Sequence, residues 1–300
     1  MTKKTRNWLI ALSILAFPFV LFFGFLIFME EPLPPVAPLP NPNGYDDLVN
    51  TGKLVTDGVG EYSTMKAAQL RELVGENTVA LELARSGLSN ECRVPVQYSE
   101  SYISNHLEDL AGLKRLAQAF AAEGMLAEMN GRTNDAVQSF LDTVHLGIET
   151  MRGGVLIDGL VGIAIDAIGT SHVQTLIPHL DADTCRKTAS TLESLDGQRQ
   201  TWNEVIQQEN SWSRRTFPGW KNELARLMER RSLEKAFQKS EQKFNKQQTQ
   251  TRQLMLDIAA RAFELDKGHP PASASDLVPE YLKAVPQDPV TGTNMVYSPR

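Results

Sequence analysis

A chain of 300 residues, 42% hydrophobic and 22% charged, has the material for a packed core and too much apolar content for wholesale disorder. Its two cysteines exclude a disulfide scaffold and a four-cysteine zinc site. A net charge of −6 gives no overall reason to expect nucleic-acid binding.

Trp8 to Met29 carries no charge over 22 residues. As a helix it would measure about 33 Å, against a hydrocarbon core of roughly 30 Å. Lys3, Lys4 and Arg6 precede it, Glu30 and Glu31 follow it, and the next basic residue is Lys53. The positive-inside rule then puts residues 1–7 in the cytoplasm and everything from residue 30 onward outside, in a single-pass membrane protein. A cleaved signal peptide is the rival reading. Its apolar region would run roughly 7–15 residues and end at small side chains, which Glu30-Glu31-Pro32 does not provide. Residues 30–44 form a linker whose prolines favour an extended, semi-rigid spacer.

Residues 45–210 read as an acidic helical domain with a charge of −12. Helical spacing predicts helices over 67–86, with Gly87 as C-cap, and over 101–129, broken at Asn130-Gly131. Another starts at Asn134 or Asp135 and ends at Gly153-Gly154. Gly131, Ala136 and Phe140 match the small, small and large positions of half a tetratricopeptide repeat, but with no 34-residue period an ordinary helical hairpin is the plainer reading. Residues 155–177 are apolar almost all round. Asp158 and Asp166 lie inside this run, each costing roughly 2.5–3.5 kcal/mol in a bilayer centre, so a buried bundle helix is favoured over a second span.

Asp158, Gly162 and Asp166 share one stripe, read as a polar face meeting water or, alternatively, as an ion or ligand site with His172. His172 and His179 lack the further ligands of a metal site. Asp183 is expected to cap a helix reaching about Asn210. Along it Cys185, Leu192, Leu195, Trp202 and Ile206 keep a three-four spacing that suits a bundle helix or a seam for a second copy or partner, with Arg199 as its weak point. Cys92 and Cys185 could be bridged in an oxidising compartment or remain buried thiols.

Residues 211–253 carry a charge of +7, with Trp212, Phe217, Trp220, Phe237 and Phe244 interleaved. A solvated helix complementing the acidic body ranks first, contact with lipid or a partner second, and nucleic acid last. Residues 238–253 suit an exposed helix or a connector. A C-terminal module, 254–300, opens with an amphipathic helix over 254–265 that Gly268 and Pro270 stop. Ser273 and Asp276 can start a helical turn, and residues 294–298 can form a short strand. Leu277, Tyr281, Leu282, Val285 and Val296 are the expected packing residues of this cap.

The order of Gly268, Pro270, Leu277, Pro279, Tyr281, Pro286, Asp288, Pro289, Gly292 and Tyr297 resembles the helix exit and following loop of the major pseudopilin of type II secretion systems. The resemblance covers residues 254–297. It implies a small α/β cap and a link to secretion or pilus-like machinery. In pseudopilins that loop follows the N-terminal membrane helix directly. Here some 220 residues intervene, and the Gly-Phe cleavage site with its following Glu is out of place at Gly24-Phe25 and Glu30, so peptidase processing and a calcium site are not carried over. The layout as a whole, with Cys-Arg-Val-Pro at 92–95, also resembles uncharacterised membrane-anchored planctomycete proteins.

The fold expected is thus mostly α: one N-terminal transmembrane helix, an extracytoplasmic helical bundle and a pseudopilin-like cap. The function expected is a non-enzymatic scaffold or partner-binding protein of the cell envelope, with the membrane and a second copy or an envelope protein as partners. No catalytic residue, metal site, cofactor or nucleic acid is assigned. The alternative is an envelope enzyme or ligand-binding domain centred on Asp158, Asp166 and His172.

Overall fold

The computed structural model describes residues 33–297, so the apolar run 8–29 lies outside the described residues. Eight α-helices follow in order: α1 Gly44–Gly52, α2 Ala67–Leu88, α3 Tyr102–Met129, α4 Thr133–Met151, α5 Leu156–Leu176, α6 Ala182–Gly197, α7 Trp202–Thr216 and α8 Trp220–Lys267. Three short 3-10 turns punctuate them, and the β content among the described residues is one isolated bridge, Gln287 to Asn294. The mostly α expectation holds; of the expected strand, the described residues 294–297 show only that bridge.

Two cores share the middle helices. Leu48, Leu70, Leu81, Leu113 and Phe120 of α1–α3 make one, together with Leu146 and Ile165. Phe140, Val144, Val173, Leu192 and Ile258 of α4, α5, α6 and α8 make the other, which the C-terminal cap closes with Leu277 and Tyr281. Helix α5 is therefore central. Leu156–His179 is the one stretch among the described residues long and apolar enough to cross a membrane, and half of its most apolar window is buried in the bundle.

Glycine lets α4 and α5 approach until their backbones touch. A Cβ at Gly162 would lie 2.5 Å from the Gly147 carbonyl oxygen, and one at Gly169 would lie 2.5 Å from the Phe140 carbonyl oxygen. The stripe containing Asp158, Gly162 and Asp166 thus faces protein. Both acids are 0% exposed, which corrects the reading of a wet polar face.

Local rules place the other boundaries. Gly87 does not cap α2; it lies within the last turn, where Leu48 of α1 packs against it, and Ser89 is the C-cap. Gly131 and Gly153 turn the chain with φ of 73° and 72°, a conformation glycine adopts without strain. Asp181, not Asp183, caps α6 by accepting the Thr184 N–H at 2.7 Å. That helix ends at Gly197. Thr201 and Glu204 then form a capping box that starts α7. The predicted seam is therefore two helices. Cys185, Leu192 and Leu195 are buried in the core the chain builds with α8. Trp202 and Ile206 belong to α7, and Trp202 packs against Phe244.

Helix α8 runs unbroken through residue 253, where the basic segment was expected to give way to a separate module. Phe244, Gln247 and Thr251 are buried, so 238–253 is neither a connector nor wholly exposed. Gly268, at φ 78°, closes α8 as expected. Ser273 and Asp276 start the turn Ala274–Leu277, with Asp276 accepting the Ser273 N–H at 2.9 Å. Asp288 accepts the N–H groups of Val290 and Thr291, and Gly292, at φ 69°, completes that loop. Leu277, Tyr281 and Leu282 are buried as expected, whereas Val296 is 79% exposed.

Candidate functional site

Asp158 stands at the start of α5 and accepts the Val155 N–H through Oδ2 at 2.8 Å. Glu209 of α7 accepts the Leu156 N–H beside it at 2.9 Å. The two carboxylates so satisfy N–H groups that a helix start leaves without intrahelical partners. Asp158 Oδ1 lies 2.6 Å from His106 Nε2. The imidazole stacks on the Tyr102 ring, with centroids 5.0 Å apart, and the Tyr45 hydroxyl lies 3.4 Å from Nε2. On its other side Nδ1 faces Asp109 at 3.6 Å, and Asp109 is partly open to solvent. Three helices, α1, α3 and α5, thus converge on one buried histidine.

Burial alone would lower the His106 pKa. The hydrogen bond that the ring donates to Asp158 and the charges of Asp158 and Asp109 outweigh it, so the pKa is raised above the ordinary histidine value. A raised folded-state value means that the cation's contribution to stability is complete below the unfolded-state pKa and is lost as pH rises through the folded one. The stability gap between the wild type and His106→Gln is therefore expected to narrow as pH climbs from about 6 past the ordinary histidine value of about 6.5. Thermal scans of the full chain in detergent at several pH values check this, and a constant gap would refute it.

Asp166, two turns further along α5, has a separate set of partners. Its Oδ2 accepts from Arg199 Nη2 at 3.0 Å, Gln247 Nε2 at 3.1 Å and Thr251 Oγ1 at 3.3 Å. Arg199 also reaches Asp196, which Arg252 of α8 holds at 2.7 Å. The chain Asp166–Arg199–Asp196–Arg252 ties α5 to α8 through the C-terminal end of α6. Asp166 Oδ1 and Arg199 Nη1 have no partner in the structure.

His172 stacks face to face on Phe140 with centroids 4.6 Å apart, and its Nε2 lies 3.3 Å from the Tyr62 hydroxyl. Burial lowers its pKa, so it is held neutral. Asp158, Asp166 and His172, grouped by the alternative reading, thus occupy three environments with no shared partner. Two surface cavities among the described residues are lined by other side chains. One of about 440 Å³ lies between α6 and the cap, by Arg186, Glu193 and Lys283. The other, of about 310 Å³, lies beside Arg85, Glu123 and Ser139. Arg85 at its edge is already engaged by Glu123 and by Asp142, the latter at 2.7 Å.

Both cysteines are free and buried, in different cores, so the considered bridge is not formed. Burial pushes the Cys92 thiol up to about 12 and the Cys185 thiol up to about 11, which makes both poor nucleophiles at neutral pH. Cys92 instead shapes a joint. It packs against Gly44, while Asn43 grips Arg93 in both directions, donating to its carbonyl and accepting its N–H, each at 2.9 Å. Among the described residues no group of three His, Cys, Asp or Glu side chains is placed to hold a metal ion.

Sequence reasoning missed His106. On α3 Leu107 is half exposed, while Tyr102, His106 and Leu110 face inward. The usable signal was a histidine at helical spacing between a tyrosine and a leucine. Arg199 did announce itself, as a charge on an otherwise apolar seam.

The described chain is a helical bundle whose buried acids are paired with basic side chains or cap a helix, and whose long last helix leaves the bundle at one end. No protein family, no curated protein and no solved structure matches it.

Proposed function

We propose that this chain is a single-pass, non-enzymatic protein of the cell envelope, anchored by residues 8–29 and presenting its helical bundle outside the cytoplasm as a scaffold or partner-binding body. One observation carries the reading. The three ionisable side chains grouped as an alternative site are each engaged within the fold: Asp158 by His106 and a helix start, Asp166 by Arg199, His172 by Phe140 and Tyr62. The first half of α8, by contrast, turns basic side chains toward solvent. The anchor itself rests on the 22 uncharged residues and the flanking charge asymmetry. The link to type II secretion or pilus-like machinery, and the description of the tail as a pseudopilin-like cap, rest on the residue order of 254–297.

The test uses the tagged full chain in its own membranes. It should stay in the pellet after an alkaline carbonate wash, and in intact spheroplasts protease should reach the bundle but not residues 1–7. Crosslinking should then recover secretion or pilus components. Release by carbonate would overturn the anchor. Recovery of the chain alone would sink the secretion link and leave self-assembly.

A further inference from the structure

The first half of α8 projects beyond the bundle. From Met228 to Lys239 nearly every residue is exposed, and burial resumes only at Phe244. At about 3.6 residues per turn, Leu224, Met228, Arg231, Lys235, Lys239 and Lys243 fall within one stripe roughly 120° wide. All six are exposed, and Met228 is 80% exposed. None of the arm's acids, Glu223, Glu229, Glu234 and Glu241, lies on it. The buried side of the same helix, Phe244, Gln247, Thr251 and Ile258, falls on a different face, centred about 130° away. The basic stripe therefore points away from the acidic body, and intramolecular complementation does not account for it.

A second observation says what lies on that side. Arg215, at the end of α7 just before α8, donates to the Pro34 carbonyl oxygen at 2.5 Å, and its guanidinium stacks over the Tyr98 ring. Pro34 is five residues beyond Met29, the last residue of the apolar run. Five extended residues span at most about 18 Å. The base of the arm is thus tethered close to the point where the anchor leaves the bilayer. A cationic helix face that also carries exposed Leu224 and Met228 has the chemistry of an interfacial segment, with basic groups for phosphate and apolar side chains for the acyl boundary.

We infer that the α8 arm lies on the lipid surface and that its Leu224–Lys243 stripe binds anionic headgroups. The inference rests on the proposed anchor. Removing one basic residue from the stripe should lower the ratio of docked to free arm about fivefold.

The test places an environment-sensitive fluorophore on Met228→Cys in the full chain. The native thiols are buried at 1% and 0% exposure and so are shielded from the label. The labelled chain is reconstituted into vesicles of phosphatidylcholine with or without phosphatidylglycerol. A blue-shifted, brighter signal is expected with the anionic lipid only. It should be reversed by high salt and by the triple change Arg231→Gln, Lys235→Gln, Lys239→Gln, which leaves the buried face of α8 untouched. Equal signals in both vesicles would overturn the inference. So would a signal that follows protein concentration in detergent, which would assign the stripe to a second copy. A carbonate wash of the same vesicles separates the two claims, since retention without a lipid-dependent signal sinks only the arm and release sinks the anchor.

Discussion

Replacing Arg199 with methionine should cost about 3–5 kcal/mol, because it leaves Asp166 charged, fully buried and facing only neutral partners. For a domain of this size the loss corresponds to a fall in Tm of about 6–20 °C, read by circular dichroism of the full chain in detergent. The direction with pH follows from Asp166. Burial raises its pKa above the ordinary carboxylate value even though Arg199, Gln247 and Thr251 pull it down. Without Arg199 it rises further. A folded-state pKa above the unfolded one destabilises at high pH and ceases to do so as the group protonates. The cost of Arg199→Met should therefore be largest at neutral pH and shrink toward pH 4.

The double variant Asp166→Leu, Arg199→Met separates the charge from the packing. Replacing a buried pair by apolar side chains is often neutral, whereas breaking it is not. Gln247 keeps its bond to Thr170 at 3.1 Å, and Thr251 keeps its bond to the Gln247 carbonyl at 3.1 Å. Asp196 keeps Arg252. The double variant should recover most of the lost stability. If it is no better than Arg199→Met alone, the pair is not what the single change breaks.

Gly162→Leu is expected to abolish the cooperative thermal transition, and Gly162→Ala to cost about 1–3 kcal/mol. The new Cβ would meet backbone, 2.5 Å from the Gly147 carbonyl oxygen, and could be accommodated only by parting α4 from α5. Asp158 and Asp166 sit on the same helix, so a shift of α5 would also disturb their bonds to His106 and Gln247. Alanine has the better helix propensity by about 1 kcal/mol, which only partly offsets this. Gly75→Ala in α2 is the control. Its Cβ would meet nothing, so the same chemical change should stabilise by about 0.5–1 kcal/mol. Equal effects at the two positions, read by the same melting scans, would remove the argument for a glycine-mediated helix contact.

Much of the architecture was legible. Asn130-Gly131 and Gly153-Gly154 marked both ends of α4 because a left-handed turn after a helix favours glycine. The two acids in α5 argued for a bundle helix, and the bundle supplies each of them with partners. The break at residues 198–201 was missed for a definite reason. The three-four spacing of Cys185 to Ile206 survives the interruption, and the capping box at Thr201 and Glu204 was overlooked in favour of periodicity. Of the two readings of 238–253, the helix is the one found, but its burial was not legible, because one Phe244 and two polar side chains, Gln247 and Thr251, form the buried side.

Helix periodicity, turn residues and the segregation of charge into an acidic body and a basic block are local properties, and the sequence by itself determined them. The partner of each buried charge was decided only by the tertiary structure. His106 lies 52 residues from Asp158, and Arg199 lies 33 from Asp166. Whether such an acid is a wet surface group, a reactive site or half of an ion pair depends on what another helix brings to within about 3 Å. The direction of the basic stripe was settled in the same way. Spacing puts Arg231, Lys235 and Lys239 on one face, but only the packing of Phe244 and Ile258 against the bundle turns that face outward.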